Sequence, residues 1–100
     1  MTTETKIDEV VKTTIKVPGL WKVIFHNDDA TPMEFVISLL MIIFKHSEES
    51  AKEVTLEIHN SGSGIAGIYT HEIAEQKGIE ATNISRQNGH PLIISIEKDA

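Results

Sequence analysis

The side chains of this sequence that could do chemistry together are an amide, two carboxylates and two imidazoles. Asn27, Asp28 and Asp29 are consecutive and follow His26, and His59 comes further along the chain. Asn and Asp are also common in turns, because their side chains can bond the nearby backbone. The segment therefore predicts either a simple turn or a polar binding site.

Three kinds of site could use these groups. A hydrolase needs a nucleophile beside a base such as His26 or His59, but the chain has no cysteine and no Ser or Thr in a recognisable nucleophile elbow. A metal site could draw on both imidazoles with Asp28 and Asp29, although no close pair of His or Cys ligands supports it. An ammonium group offers three donors and needs several acceptors, which Asn27, the two aspartates and a neutral His59 would supply.

Composition and charge narrow the class of protein. The chain has 100 residues, 40% of them hydrophobic, which predicts one globular domain. A formal charge of -6 without a basic cluster argues against nucleic-acid binding. The absence of cysteine excludes disulfides and thiolate zinc sites and suits a reducing cytosol. The longest apolar run, residues 35–44, is about half the length that a bilayer requires, and no signal peptide is expected.

The first half of the chain predicts one strand followed by two helices. Residues 20–26 are rich in β-branched and aromatic side chains and end at a turn cluster, as strands do. A helix is expected from Pro32 to about Lys45, with Thr31 as its N-cap and Glu34 completing a capping box. A second helix is expected after Ser47, which can cap it, and should end at the Ser-Gly repeat of residues 61–64.

The second half predicts a strand, a helix and a last strand. Residues 65–69 form a short apolar strand, and Thr70 caps a helix that passes through Gly78 and ends at residues 88–89. Residues 92–97 form the third strand. The order βααβαβ predicts an α+β two-layer sandwich, with a three-stranded antiparallel sheet packed on three helices. Residues 1–19 are expected to be a flexible N-terminal extension and residues 20–100 the core domain.

The run from Trp21 to Val36 closely resembles the signature of the ClpS adaptor family, in which an NDD-x-TPMEFV stretch follows the first strand. The likeness covers the chain after Gly19 and continues through four further motifs, at residues 56–59, 67–70, 72–77 and 88–92. It implies a non-enzymatic adaptor that carries substrates with destabilising N-terminal residues to the Clp AAA+ unfoldase and its ClpP peptidase. It also implies a monomer of the bacterial cytoplasm, with a plastid protein as the alternative, that has no cofactor, metal, nucleic-acid or membrane partner.

The resemblance also assigns residues. It implies that the free α-amino group of the substrate is held by Asn27, Asp28, Asp29 and His59. The first side chain, usually Leu, Phe, Tyr or Trp, would enter a pocket formed by Thr31, Met33, Val36, Thr55, Ile58 and Leu92. Glu72 and Lys77 match positions that dock on the N-terminal domain of the unfoldase, of ClpA or ClpC type, and the N-terminal extension would engage the unfoldase as well.

One position departs from the family pattern. Thr55 stands where many family members carry a methionine that gates the pocket. Because Thr is smaller and polar, the pocket is expected to be roomier or wetter at this wall, unless neighbouring residues compensate for the exchange.

The second functional hypothesis is a regulator that docks on the unfoldase through Glu72 and Lys77 and redirects its substrate choice without a working pocket.

Overall fold

The computed structural model describes residues 19–99. The predicted N-terminal extension therefore lies, except for Gly19, outside the described residues. The order of elements is βααβαβ, as the sequence predicts. The bounds are as follows: β1 Leu20–His26, α1 Met33–Ile42, α2 Glu48–Ser61, β2 Ser63–Thr70, α3 His71–Gln87 and β3 Ile93–Lys98.

The three strands form one antiparallel sheet in the order β2-β1-β3. Val23 and Phe25 of the central strand are completely buried, and the ring of Phe25 lies edge-on to that of Phe44 after α1. The core around them takes side chains from all three helices and from the two residues after α1: Val36, Leu39, Leu40, Ile43, Phe44, Ala51, Ile58, Ala74 and Ala81. The predicted α+β sandwich is confirmed. Within residues 19–99, the helices are too short or too polar to cross a bilayer.

The predicted cap of α1 is wrong. Pro32, in extended conformation, occupies the N-cap position, and it makes no side-chain capping hydrogen bond. Thr31 instead donates its hydroxyl proton to Asp28, at 2.8 Å between Thr31 Oγ1 and Asp28 Oδ2. An ionised carboxylate is a stronger acceptor than a hydroxyl is, so Thr31 acts as a donor in the turn rather than as a cap for the helix.

The end of α1 also differs from the prediction, because the helix stops at Ile42 rather than near Lys45. Lys45 adopts a left-handed conformation with φ of 62°, and the amide of His46 donates to the Leu40 carbonyl at 3.0 Å. A left-handed residue after a helix closes its last turn, usually with Gly or Asn. Nothing in the sequence marks a lysine for this conformation.

The other two helices begin where the sequence predicts. Ser47 accepts a hydrogen bond from the amide of Ser50 at 3.1 Å, and Gly62 ends α2 with φ of 94°. Thr70 is the N-cap residue of α3, although its side chain makes no capping hydrogen bond. The helix continues through Gly78, which is buried against β3.

A β-bulge interrupts the pairing of β1 with β2. Val23 pairs with Gly67 and Ile24 with Ile65, so Ala66 has no partner on β1. Its carbonyl accepts a hydrogen bond from Nε2 of His46 at 2.6 Å, while Nδ1 of the same ring lies 2.7 Å from Ser50 Oγ. His46 therefore joins the loop between α1 and α2 to the bulge.

His46→Ala should lower the free energy of unfolding by about 1–3 kcal/mol, because the carbonyl of buried Ala66 loses its partner. Ser50→Ala is the control, since it removes only the contact at Nδ1 and should cost less than about 1 kcal/mol. Urea denaturation measures both values. Equal losses in the two variants would contradict the role given to the Ala66 carbonyl.

Candidate functional site

A cavity of about 250 Å³ opens between the turn after β1, helix α2 and the segment before β3. It contains all ten residues that the sequence assigns to the amino-binding site and the side-chain pocket, together with His26. Its lining residues are His26, Asn27, Asp28, Asp29, Thr31, Met33, Val36, Thr55, Ile58, His59 and Leu92. Residues far apart in sequence thus meet in one concave site.

The polar end of the cavity is formed where β1 and α2 both end. The backbone amide of Asn27 donates to the carbonyl of Gly62 at 2.9 Å, which ties the turn after β1 to the C-cap of α2. His59 lies in the last turn of that helix and is thereby brought to the same cavity as Asn27. The sequence motif predicts this meeting, and its physical cause is the pairing of β1 with β2, which ends with His26 opposite Ser63 and is continued by the Gly62 contact.

The four residues predicted to bind the amino group differ in how many hydrogen bonds their side chains already make within the fold. Asn27, Asp29 and His59 are exposed, and none of the side-chain hydrogen bonds formed within residues 19–99 involves them. Asp28 is different, since Oδ1 accepts from the amides of Ala30 and Thr31 at 2.8 and 2.7 Å. The first three side chains retain acceptors for a ligand, whereas Asp28 mainly shapes the turn.

These contacts fix the charge on Asp28. Partial burial on its own would raise the pKa of the carboxyl, but the hydrogen bonds from Ala30 and Thr31 and the positive charge of His90 outweigh it, so the pKa is lowered. Asp28 therefore adds a negative charge to the polar end of the cavity at neutral pH. A cationic ligand is favoured there, and an anionic one is disfavoured.

Asp28→Asn should reduce stability at pH 6, because the amide keeps one oxygen acceptor but loses the charge and the second acceptor. A carboxyl whose pKa is lower in the folded state stabilises the fold above its unfolded pKa, and this contribution is lost as the pH falls through the folded value. The gap between wild type and variant should therefore shrink below about pH 4. Urea denaturation from pH 6 to pH 3 tests this, and a gap that widens toward acid would contradict it.

The opposite end of the cavity is apolar. Val36, Ile58 and Leu92 are buried, and Met33 lies at the mouth with 39% of its surface exposed. Thr55 is also buried, and its hydroxyl donates to the Ala51 carbonyl one helical turn earlier, at 2.7 Å. The hydroxyl proton is thus used within α2, which makes this wall less polar than the residue type alone suggests.

Two residues that support the cavity, His26 and Arg86, were not assigned to the amino-binding site or the side-chain pocket from the sequence. His26 lines the cavity, and its Nε2 lies 2.7 Å from Ser95 Oγ, which joins β1 to β3 at this end of the sheet. Arg86 donates from Nη1 to the carbonyls of His90 and Leu92, both at 2.9 Å, and so holds the segment that carries Leu92 into the cavity. The position of His26 at the end of a strand was a usable signal, but nothing in the sequence pattern marks Arg86.

Within residues 19–99, no three His, Asp or Glu side chains are grouped closely enough to hold a metal ion. The polar end of the cavity combines amide, carboxylate and imidazole acceptors above an apolar floor. Such a site fits a ligand that has a cationic group next to a hydrophobic one.

A family model described as "ATP-dependent Clp protease adaptor protein ClpS" matches residues 16–95. The chain belongs to the ClpS family. The ClpS adapter proteins of Shewanella pealeana and Shewanella halifaxensis are both 47% identical to it, over 92 and 93 residues. These alignments cover 92% and 93% of this chain and 90% and 91% of the two relatives.

A solved structure of Agrobacterium tumefaciens ClpS2 bound to L-phenylalaninamide has the same fold, with a TM-score of 0.79 and 37% sequence identity. The match covers 83% of this chain and 100% of that one. Fold and family thus agree with the resemblance seen in the motifs. The chain is accordingly an adaptor of the ATP-dependent Clp protease.

The two residues expected to dock on the unfoldase lie outside the cavity, at the start of α3. Glu72 is exposed in the first turn of that helix. Lys77 is half-buried; its Nζ donates to the Ile43 carbonyl at 2.8 Å and lies 5.3 Å from the centroid of the Tyr69 ring. Lys77 thus stabilises the end of α1, and docking on the unfoldase through Glu72 and Lys77 remains a prediction.

Proposed function

We propose that the chain is a non-enzymatic adaptor that binds the free N-terminus of N-degron substrates and delivers them to the Clp AAA+ unfoldase in the bacterial cytoplasm. One observation carries the proposal. A single cavity joins three exposed acceptor side chains and a carboxylate of lowered pKa to a buried apolar floor. A peptide N-terminus offers the matching groups, since it places an ammonium next to the first side chain.

In this proposal the α-amino group donates its three protons at the polar end. Asn27 Oδ1 and the imidazole of His59 accept directly, while Asp28 and Asp29 supply negative charge. An ammonium group held by several acceptors cannot be replaced by an acetylated nitrogen, which has one proton and no charge. The site would therefore distinguish a free N-terminus from a blocked one.

The first side chain would lie on Val36, Ile58 and Leu92, with Met33 at the mouth. L-phenylalaninamide, the ligand of the Agrobacterium ClpS2 structure, supports this arrangement by its chemistry. It has a free amino group, a benzyl side chain and an uncharged amide at the point where a peptide would continue. We expect Leu, Phe, Tyr and Trp to be accepted as first residues.

Delivery would require a second surface. Glu72 and Lys77 lie on α3, away from the cavity, so an adaptor could hold substrate and unfoldase at the same time. The alternative is a regulator that docks through these residues and has no working pocket. Binding of a free peptide separates the two hypotheses.

The test is a titration with a peptide that begins with Phe, compared with its N-acetylated twin, measured by fluorescence anisotropy. Asn27→Ala should weaken binding of the free peptide by about ten- to a hundredfold, because a hydrogen bond to a charged group contributes about 1.5–3 kcal/mol. The stability of the variant should change little, since the contact to Gly62 uses the backbone amide of Asn27.

Asn60→Ala is the matched control for this variant. Asn60 is an exposed amide next to His59 that does not line the cavity. Its removal should leave the affinity within about twofold of wild type. Equal binding of free and acetylated peptide by the wild-type chain would overturn the proposal and favour the regulator.

Thr55 should determine which first residues are accepted. We expect Ile and Val peptides to bind within about tenfold of the Leu peptide, and Thr55→Met to increase this discrimination, because one methylene in a pocket is worth about 1–3 kcal/mol. Thr55→Val keeps the shape without the hydroxyl and should behave as wild type. Rejection of both Ile and Val by the wild-type chain would contradict a widened pocket.

A further inference from the structure

A second cavity, of about 230 Å³, lies between α1 and α2 and adjoins the first. It is lined by Met33 and Ile37 of α1 and by Lys52, Thr55 and Leu56 of α2. Met33 and Thr55 line both cavities. The two cavities therefore share a wall, and we call the second one the interhelical groove.

The interhelical groove is apolar although it is open to solvent. Leu56 has 54% of its surface exposed and Met33 has 39%, and neither residue belongs to the buried core. The one charged residue of the groove, Lys52, has its amino group 3.1 Å from a Glu48 carboxylate oxygen, which offsets the charge. Long side chains of this kind cover apolar surface with their alkyl stems. The groove thus offers an apolar surface that matches a hydrophobic side chain.

The spacing of the groove fits an extended peptide. Ile37 follows Met33 by one turn of α1, and Lys52 precedes Thr55 by nearly one turn of α2. A helical turn advances about 5.4 Å, so Ile37 and Lys52 extend the groove to about this distance beyond the shared wall. In an extended chain the side chains of residues one and three point to the same side, about 6.6 Å apart. Residue two points the other way.

The direction of the groove agrees with this spacing. His59, at the polar end, belongs to the last turn of α2, whereas Lys52 and Leu56 lie earlier in that helix. On α1, Met33 is the first residue and Ile37 lies further in. The groove therefore leads away from the polar end of the first cavity, so a peptide bound there by its amino group can reach the groove with a later residue.

We propose that the interhelical groove binds the side chain of the third residue of the substrate and prefers an apolar one. The inference rests on the proposed function, because it uses the same bound N-terminus. It extends recognition from one side chain to two, at positions one and three. Position two contributes no side-chain contact to either cavity.

The test uses peptides of the form Phe-Ser-X followed by a constant polar tail, with X as Ser, Leu or Asp. The Leu peptide should bind about three- to tenfold more tightly than the Ser peptide, since partial burial of a Leu side chain corresponds to about 1 kcal/mol. A peptide with Leu at position two and Ser at position three should show no such gain. Fluorescence anisotropy at constant ionic strength measures all four.

Leu56→Ser tests the assignment of the groove, and it should reduce the preference for Leu over Ser at X to less than about twofold, since it removes one apolar wall. The matched control is Ile79→Ser, because Ile79 has 56% of its surface exposed on α3 and lies outside both cavities. That control should keep the preference of the wild-type chain. Both positions are half-exposed, so loss of the fold is not expected from either change.

The outcomes separate the two proposals. Equal binding of free and acetylated Phe-Ser-Ser peptides overturns the proposed function, and the groove assignment falls with it. Binding that requires the free amine but has the same affinity for every X overturns the groove assignment alone. It is also overturned if Leu at X remains preferred in Leu56→Ser, if Leu is preferred at position two, or if Asp is the preferred residue at X.

Discussion

The site depends on the antiparallel pairing of β1 with β2 and on one backbone hydrogen bond that continues it beyond the strands. The amide of Asn27 donates to the carbonyl of Gly62, and this contact joins the end of the central strand to the end of α2. Gly62 can receive it because a glycine with φ of 94° ends the helix and turns the chain into β2 without strain. The acceptors at residues 27–29 and at His59 lie in one cavity because the strand pairing and this contact hold the end of β1 beside the end of α2.

Asp28 combines a structural role with the role proposed for it in recognition. Its carboxylate organises the turn through Ala30 and Thr31, and it also supplies charge to the cavity. Substitution of this residue would therefore change both the fold and the binding. Asn27 is the cleaner probe, since its side chain is exposed while its backbone holds the structure. Substituting a side chain that makes no hydrogen bond within the fold should change ligand affinity without changing stability.

The sequence predicted the elements because their signals are local: hydrophobic periodicity, Ser47 as a cap, and glycines after helices. It misjudged α1 at both ends. Thr31 donates its hydroxyl proton to Asp28 instead of capping the helix, and Lys45 adopts a left-handed conformation that its residue type does not indicate. The cavity residues were assigned through a family motif, since periodicity does not specify which ends of elements meet. Arg86 was missed because its two acceptors become visible only once the chain is folded.

The bulge at Ala66 has a consequence for association between chains. Strands β2 and β3 are the two edges of the sheet, and an exposed edge can pair with a strand of another molecule. A bulge bends its strand and increases the local twist, which makes the edge a poorer template for such pairing. The register of β1 with β2 creates this bulge, and His46 stabilises it by donating to the Ala66 carbonyl. The exposed side chains of Ile65 and Ile68 lie on either side of the bulge, so the apolar part of the β2 edge is also its least regular part.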